Sequence, residues 1–218
     1  MNPLSIPSLP MLQVSGLTIR RGERLLFEGL DLALAGGEAV FLRGANGSGK
    51  STLLMAVAGI VRPDAGTIVL NLGTGEAPAR TGLHWLGYQH GLKPRLKVLE
   101  NLAFWRTMHG ETGLPLAAAL KRVGLSSIAD LETGYLSSGQ LRRLSLARLL
   151  VSHRSLWLLD EPTAALDAAG EKLLAELVDE HLQQGGAALI ATHHDLVLAT
   201  RMNAAATKLN TVWLGAER

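Results

Sequence analysis

The chain has no cysteine, which excludes disulfide staples and thiolate-ligated metal centres while leaving the redox compartment open. It also lacks any unbroken apolar run of the roughly eighteen residues that a membrane-spanning helix needs. Its longest candidates, such as Gly186 to Thr192, have the length of a strand. If this protein works at a membrane, another chain must cross it. Met1 to Pro10 is rich in Pro and Ser but has no basic start, long apolar stretch or small-residue cleavage site, so residues 1–10 read as a disordered tail and not as a secretory signal. A strong charge of one sign is missing too. The 21 Lys+Arg against 19 Asp+Glu give a balance too even for the basic stripe that nucleic acid selects. No internal repeat is present.

What is present suits one well-filled core: 218 residues, 47% hydrophobic and 18% charged. Residues 11–218 therefore read as a single α/β domain. Leu12 to Leu34 has short apolar runs broken by the charged turn Arg20 to Glu23, a hairpin-like start. Ala39 to Leu42 is a short buried strand that runs into a glycine-rich loop, and Ser51 to Gly59 has helical spacing. Strands are expected at Thr67 to Leu72 and Leu83 to Tyr88. Helix formers then dominate from about Arg95 to Val151, which marks a helical subdomain of about 92–152 inserted in the α/β core. Alternation returns with Leu156 to Asp160, a helix from about Ala168 to Gln184, Ala187 to Thr192 and a strand pair near Ala204 to Leu214. Such an order implies a mostly parallel sheet covered by helices.

Gly44-Ala45-Asn46-Gly47-Ser48-Gly49-Lys50-Ser51 fits the P-loop pattern in full and lies between an expected strand and an expected helix, the context that pattern requires. The glycines let backbone N–H groups turn toward phosphates, and the following helix points its positive end at them. Lys50 supplies a compact cation for the β- and γ-phosphates, Ser51 a hydroxyl for Mg²⁺, and Thr52 a donor near the α-phosphate. ATP with Mg²⁺ is the implied substrate pair, and the need for ATP places the chain in the cytoplasm. Leu156-Trp157-Leu158-Leu159 then ends in Asp160 and Glu161. Adjacent residues on a strand point opposite ways, so Asp160 is assigned to Mg²⁺ and Glu161 to the attacking water as general base.

With Leu136-Ser137-Ser138-Gly139-Gln140 just ahead of the helix that precedes the acidic strand, the chain resembles the ABC ATPase family over nearly its whole length. The resemblance implies a P-loop NTPase fold with an antiparallel β subdomain and a helical subdomain. It also implies a homodimer in which Ser137 and its helix end face the nucleotide held by the other copy. The family has Gly where Ser138 stands. Gln89 resembles the Q-loop glutamine that joins Mg²⁺ to the helical lobe, His193 the switch histidine on the γ-phosphate, and Asp167 the D-loop acid that crosses the dimer. Where the family commonly stacks adenine on an aromatic ring, this chain has Arg21. An Arg plane can also stack, so weak base selectivity is expected.

His84 to Lys93, Leu99 to Trp105 and Trp157 are similar to the haem-exporter ATP-binding subunits of bacterial cytochrome c maturation. That likeness implies an integral membrane partner, a peripheral place on the cytoplasmic face of the inner membrane, and hydrolysis coupled to release of a haem-loaded chaperone. His90 is read as a surface contact, with no direct haem ligation. Arg142, Arg143 and Arg148 are read as the solvated face of an amphipathic helix. The rival readings are the ATPase subunit of another ABC transporter and a soluble non-transport ABC ATPase, for example in iron-sulfur assembly. The heptad insertion of repair types and the tandem cassettes of translation types are both missing.

Overall fold

The computed structural model describes residues 11–72, 82–87, 90–193 and 209–214. The expected tail, Gln89 and the first part of the expected final strand pair, residues 204–208, lie outside those residues. Strands β1 (Leu12–Arg21) and β2 (Arg24–Leu34) form an antiparallel hairpin with Arg21 paired to Arg24, and Gly22 between them takes φ 61, a left-handed conformation that suits glycine. β4 (Ala65–Leu70) pairs with the other edge of β1, giving a three-stranded sheet of order β2-β1-β4. The second sheet is parallel, with order β5-β6-β7-β3-β8 across β5 (Leu83–Leu86), β6 (Leu156–Asp160), β7 (Ala187–Ala191), β3 (Ala39–Arg43) and β8 (Leu209–Trp213).

β6 and β7 are buried at every residue, and β3 at all but its last, which is why these segments read as continuous apolar runs. Alternation within them still matters. Phe41, Trp157, Leu159, Ala188 and Ile190 point to one face, where they meet α4 (Ser138–Leu150), α5 (Ala168–Gln183) and the lobe helices α2 (Val98–His109) and α3 (Leu116–Arg122). Val40, Leu42, Leu156, Leu158 and Leu189 point to the other, against α1 (Lys50–Val57) and the antiparallel sheet. The parallel sheet is thus the middle layer of a three-layer stack.

Between β5 and β6 the chain makes the helical lobe. Asn101 of α2 is wholly buried and holds it together: its carbonyl oxygen accepts from Lys93 N at 2.8 Å, and its amide donates to Lys93 O, Leu96 O and Thr133 Oγ1. The Arg148 guanidinium lies 3.6 Å over the Trp105 ring and donates to His90 O.

This corrects the expectation of a solvated arginine face on α4. Arg142 is 1% exposed and Arg148 is 7% exposed, both turned inward to backbone carbonyls or an aromatic ring. Arg143 is partly exposed and pairs with Asp167 at 2.7 Å. Helical spacing alone cannot tell a guanidinium in water from one turned onto protein carbonyls or an aromatic ring. His90 is likewise half-buried, with Nδ1 at 3.0 Å from Ser145 Oγ, so it contacts the protein and not only its surface.

Candidate nucleotide site

The loop from Gly44 to Gly49 leaves the end of β3 and turns into α1. Gly44, Gly47 and Gly49 have φ 139, 77 and 100, values that L side chains rarely adopt. A Cβ on Gly44 would sit 2.3 Å from Leu214 O, and one on Gly49 would sit 2.8 Å from the Phe27 ring. The loop is therefore pressed between the end of β8 and the hairpin, with no room for a side chain at Gly44 or Gly49. Gly49 caps α1 without any side-chain hydrogen bond, and the first turn carries no acid. Its leading N–H groups are left for an external acceptor.

A cavity of about 370 Å³ opens in front of this loop. Asn46, Gly47, Gly49, Lys50, Ser51 and Thr52 line one side, Glu161 and His193 the other, with Arg21, Arg24 and Leu26 of the hairpin at its edge. Gly44, Ala45 and Ser48 complete the loop outside that lining. Arg24, Leu26 and the Phe27 contact were missed in the sequence, where the hairpin turn offered only a charge cluster as a signal.

Lys50 is buried and donates to Gly44 O at 2.8 Å and Ala45 O at 3.1 Å, with His193 Nε2 at 3.1 Å. Burial pulls its pKa down, against the upward pull of Glu161 and Asp160. Asp160 shows the converse. Burial raises its pKa, while a hydrogen bond with Ser51 and the charges of Arg142 and Lys50 oppose the rise. Each group is short of counter-charge, and a phosphate with a divalent cation would supply it to both.

Glu161 lies just past the end of β6 with φ 43. The two acids are therefore separated by a left-handed bend, not by the alternation of a strand. Glu161 Oε2 accepts from His193 N at 3.4 Å, and Oε1 lies 3.4 Å from His193 Nε2. That one nitrogen can accept from Lys50 or, when protonated, donate to Glu161, but cannot do both.

Leu136 to Gln140 lies elsewhere. Ser137 caps α4, accepting from Gln140 N at 3.2 Å, while Gln140 Oε1 accepts from Ser137 N at 2.9 Å. Ser138, Gly139 and Gln140 form the first turn of α4, and none of the five lines the cavity. Asp167 caps α5 by accepting from Gly170 N at 2.8 Å, and its pKa is lowered chiefly by the Arg143 hydrogen bond. Within this chain it caps and pairs, and it does not reach the cavity. Gln89 lies outside the described residues.

The family profile described as ABC transporter matches residues 27–164. The chain belongs to the ABC transporter ATP-binding family. An ABC domain of this kind binds and hydrolyses ATP to power a transporter, and here no helix of the described residues is long and apolar enough to cross a membrane. The chain is 49% identical over 186 residues to the cytochrome c biogenesis ATP-binding export protein CcmA of Rhodopseudomonas palustris (strain HaA2), covering 85% of this chain and 93% of that one. It is 47% identical over 207 residues to CcmA of Rhizobium johnstonii, covering 90% and 96%. Among solved structures, an ATP-binding subunit of an ABC transporter superimposes with a TM-score of 0.78 at 22% identity, over 94% of this chain and 88% of that one. That likeness speaks for the fold. A putative metal-chelate type ABC transporter matches with 0.72 at 27% identity, over 94% and 79%.

Proposed function

We propose that this ABC domain hydrolyses ATP as a homodimer on the cytoplasmic face of a bacterial inner membrane, powering the export step of cytochrome c biogenesis together with an integral membrane subunit. The observation that carries the chemistry is the convergence of Lys50, Glu161 and His193 on one glycine-lined cavity. The export role is supported by the CcmA relatives, which match this chain over most of their own length.

In this reading Lys50 and the leading N–H groups of α1 hold the β- and γ-phosphates. Ser51 and Asp160, hydrogen-bonded to each other, fit a magnesium ion, with Gln89 as the expected third ligand; Mg²⁺ is satisfied by few protein oxygens when phosphates supply the rest. The ion would neutralise charge on the phosphate oxygens. Glu161 takes the proton of the attacking water. Once a phosphate replaces His193 as the partner of Lys50, the imidazole is released to donate to Glu161 or to the γ-phosphate. Ser137, Ser138, Gly139 and Gln140 of one copy close the cavity of the other, with Asp167 at the crossing.

Glu161→Gln tests the core of this proposal. It is expected to keep ATP binding and lower turnover by about a hundredfold or more, leaving an ATP-bound dimer detectable by light scattering. Hydrolysis at the unmodified rate would remove Glu161 from the base role. The export assignment is tested by deleting the gene: c-type cytochromes should vanish and an integral membrane protein should co-purify with the intact chain. Normal cytochrome levels would leave an ATPase of another transporter.

A further inference from the structure

Arg142 heads the largest side chains shielded from solvent in the described residues, and the chemistry above makes no use of it. Its guanidinium donates to backbone carbonyls: Nε to Pro162 O at 3.0 Å, one terminal nitrogen to Gly87 O at 3.1 Å, the other to Asp160 O at 3.0 Å and to Glu161 O. Taking a charge out of water is unfavourable unless its donors are met. Here carbonyls from two segments meet them, and burial brings the Arg142 pKa down to about 10 against the pull of Asp160 and Glu161.

Three of the four carbonyls flank or belong to Glu161. A non-glycine residue at φ 43 is strained and persists only where its surroundings over-determine it. On one side Glu161 N–H donates to Ala191 O at 2.8 Å, which ties it to β7. On the other its carbonyl, and those before and after, are all gripped by one planar fork. A fork can do this because its donors are fixed relative to one another, whereas an ammonium is a point charge on a flexible stem. Without the fork the bend can relax, and the carboxylate swings away from His193 and the cavity.

We infer that Arg142 is a positioning residue for hydrolysis, clamping the Asp160–Pro162 turn in its left-handed bend and locking it to Gly87, so that the Glu161 carboxylate stays aimed at the phosphate cavity. Arg142 stands two residues after Gln140 on α4, so displacement of that helix end moves the clamp as well. The inference rests on Glu161 being the base.

The test uses the full chain and compares Arg142→Gln, Arg142→Lys, Glu161→Gln and the double variant Arg142→Gln/Glu161→Gln. Steady-state hydrolysis is measured beside equilibrium ATP binding. Arg142→Gln should lower kcat by about ten- to a hundredfold, the scale of an ångström-level misplacement, while the ATP Kd stays within about threefold. Arg142→Lys keeps the charge but not the fork and should recover less than about a third of the lost rate. In the Glu161→Gln background, removing Arg142 should slow hydrolysis by less than about threefold, because the group it aims is already gone. Should Arg142→Gln fail to fold, Arg142→Lys carries the same test, with a reduced kcat at unchanged ATP affinity. Wild-type kcat in a folded Arg142 variant, full rescue by Lys, or fully additive losses in the double variant would each overturn the clamp. Failure of the base reading looks different: Glu161→Gln would then hydrolyse ATP normally.

Discussion

The strand ends around the cavity and the helical lobe inserted between β5 and β6 are held by different physics. At the strand ends, position comes from apolar strands buried on both faces and from glycines with no room for a Cβ. The polar groups there, Lys50 and Asp160, are pushed away from their ordinary pKa by burial. In the lobe the buried polar groups serve cohesion: Asn101 bonds three backbone positions and Thr133, and Arg148 stacks on Trp105. The site holds desolvated charge that a ligand can meet, whereas the lobe turns most of its buried donors onto its own carbonyls, with Arg106 Nε, His109 Nδ1 and Arg148 Nε the exceptions.

The largest effect expected from this contrast is on activity. Lys50→Ala should abolish hydrolysis and weaken ATP binding while leaving Tm nearly unchanged, since relief of a desolvated cation offsets the loss of its two carbonyls, its imidazole and the attraction of Glu161 and Asp160. Scanning calorimetry beside an ATPase assay checks it. A large fall in Tm would mean that Lys50 is part of the scaffold, and the contrast would fail.

Asn101→Ala should behave in the opposite way. It leaves Lys93 N–H and several carbonyls without their buried partner, a loss of about 2–4 kcal/mol. For a chain of this size that is a Tm drop of about 5–15 °C, with ATP affinity of the folded fraction retained. Full stability in this variant would show that water replaces the amide.

Acid should separate the two faces of the parallel sheet. The His84 pKa is lowered to about 3 and those of His109 and His181 to about 4, in each case chiefly by burial. The unfolded chain takes up protons as pH falls through 6.5, while the folded chain does not until about 4. Their contribution is therefore complete above pH 6.5 and is lost as pH falls toward 4, on the order of 1 kcal/mol per pH unit for each of the two deeply buried rings. Asp160, raised by burial, works in the opposite sense and offsets part of this. All three histidines lie on the lobe side of the parallel sheet, with His181 stacked on Trp157 at 4.0 Å, and the antiparallel sheet has none. Amide exchange at pH 5 should quicken first in α2 and α5. Equal protection on both faces at pH 5 and 7.5 would refute it.

The same contrast explains what the sequence made legible. The P-loop, the apolar strands and the acids at the end of β6 could be read because glycine spacing, period and position each have one physical meaning there. Strand β4 could be read as a strand but not assigned to the antiparallel sheet, since pairing is a tertiary fact. The roles of Arg142 and Arg148 could not be read, because burial of an arginine depends on which carbonyls the fold brings near, and those lie 55 to 58 positions away for Gly87 and His90. The bend at Glu161 was hidden for a related reason: nothing in Leu-Asp-Glu-Pro announces a left-handed residue, which persists through bonds to β7 and α4.

The smallest effect tests the hairpin edge of the cavity, lined by Arg21, which the family resemblance matches to an aromatic position. A guanidinium plane can stack on any base but presents no acceptor to tell adenine from guanine or cytosine. GTP and CTP should therefore displace ATP with affinities within about tenfold of its own, a difference of about 1.4 kcal/mol. Arg21→Tyr should strengthen all three through ring stacking and leave kcat unchanged, because in the proposed reading this edge meets the base and not the reacting phosphate. If GTP and CTP compete far more weakly than that, the discriminating contact comes from another group, and the hairpin belongs with the scaffold.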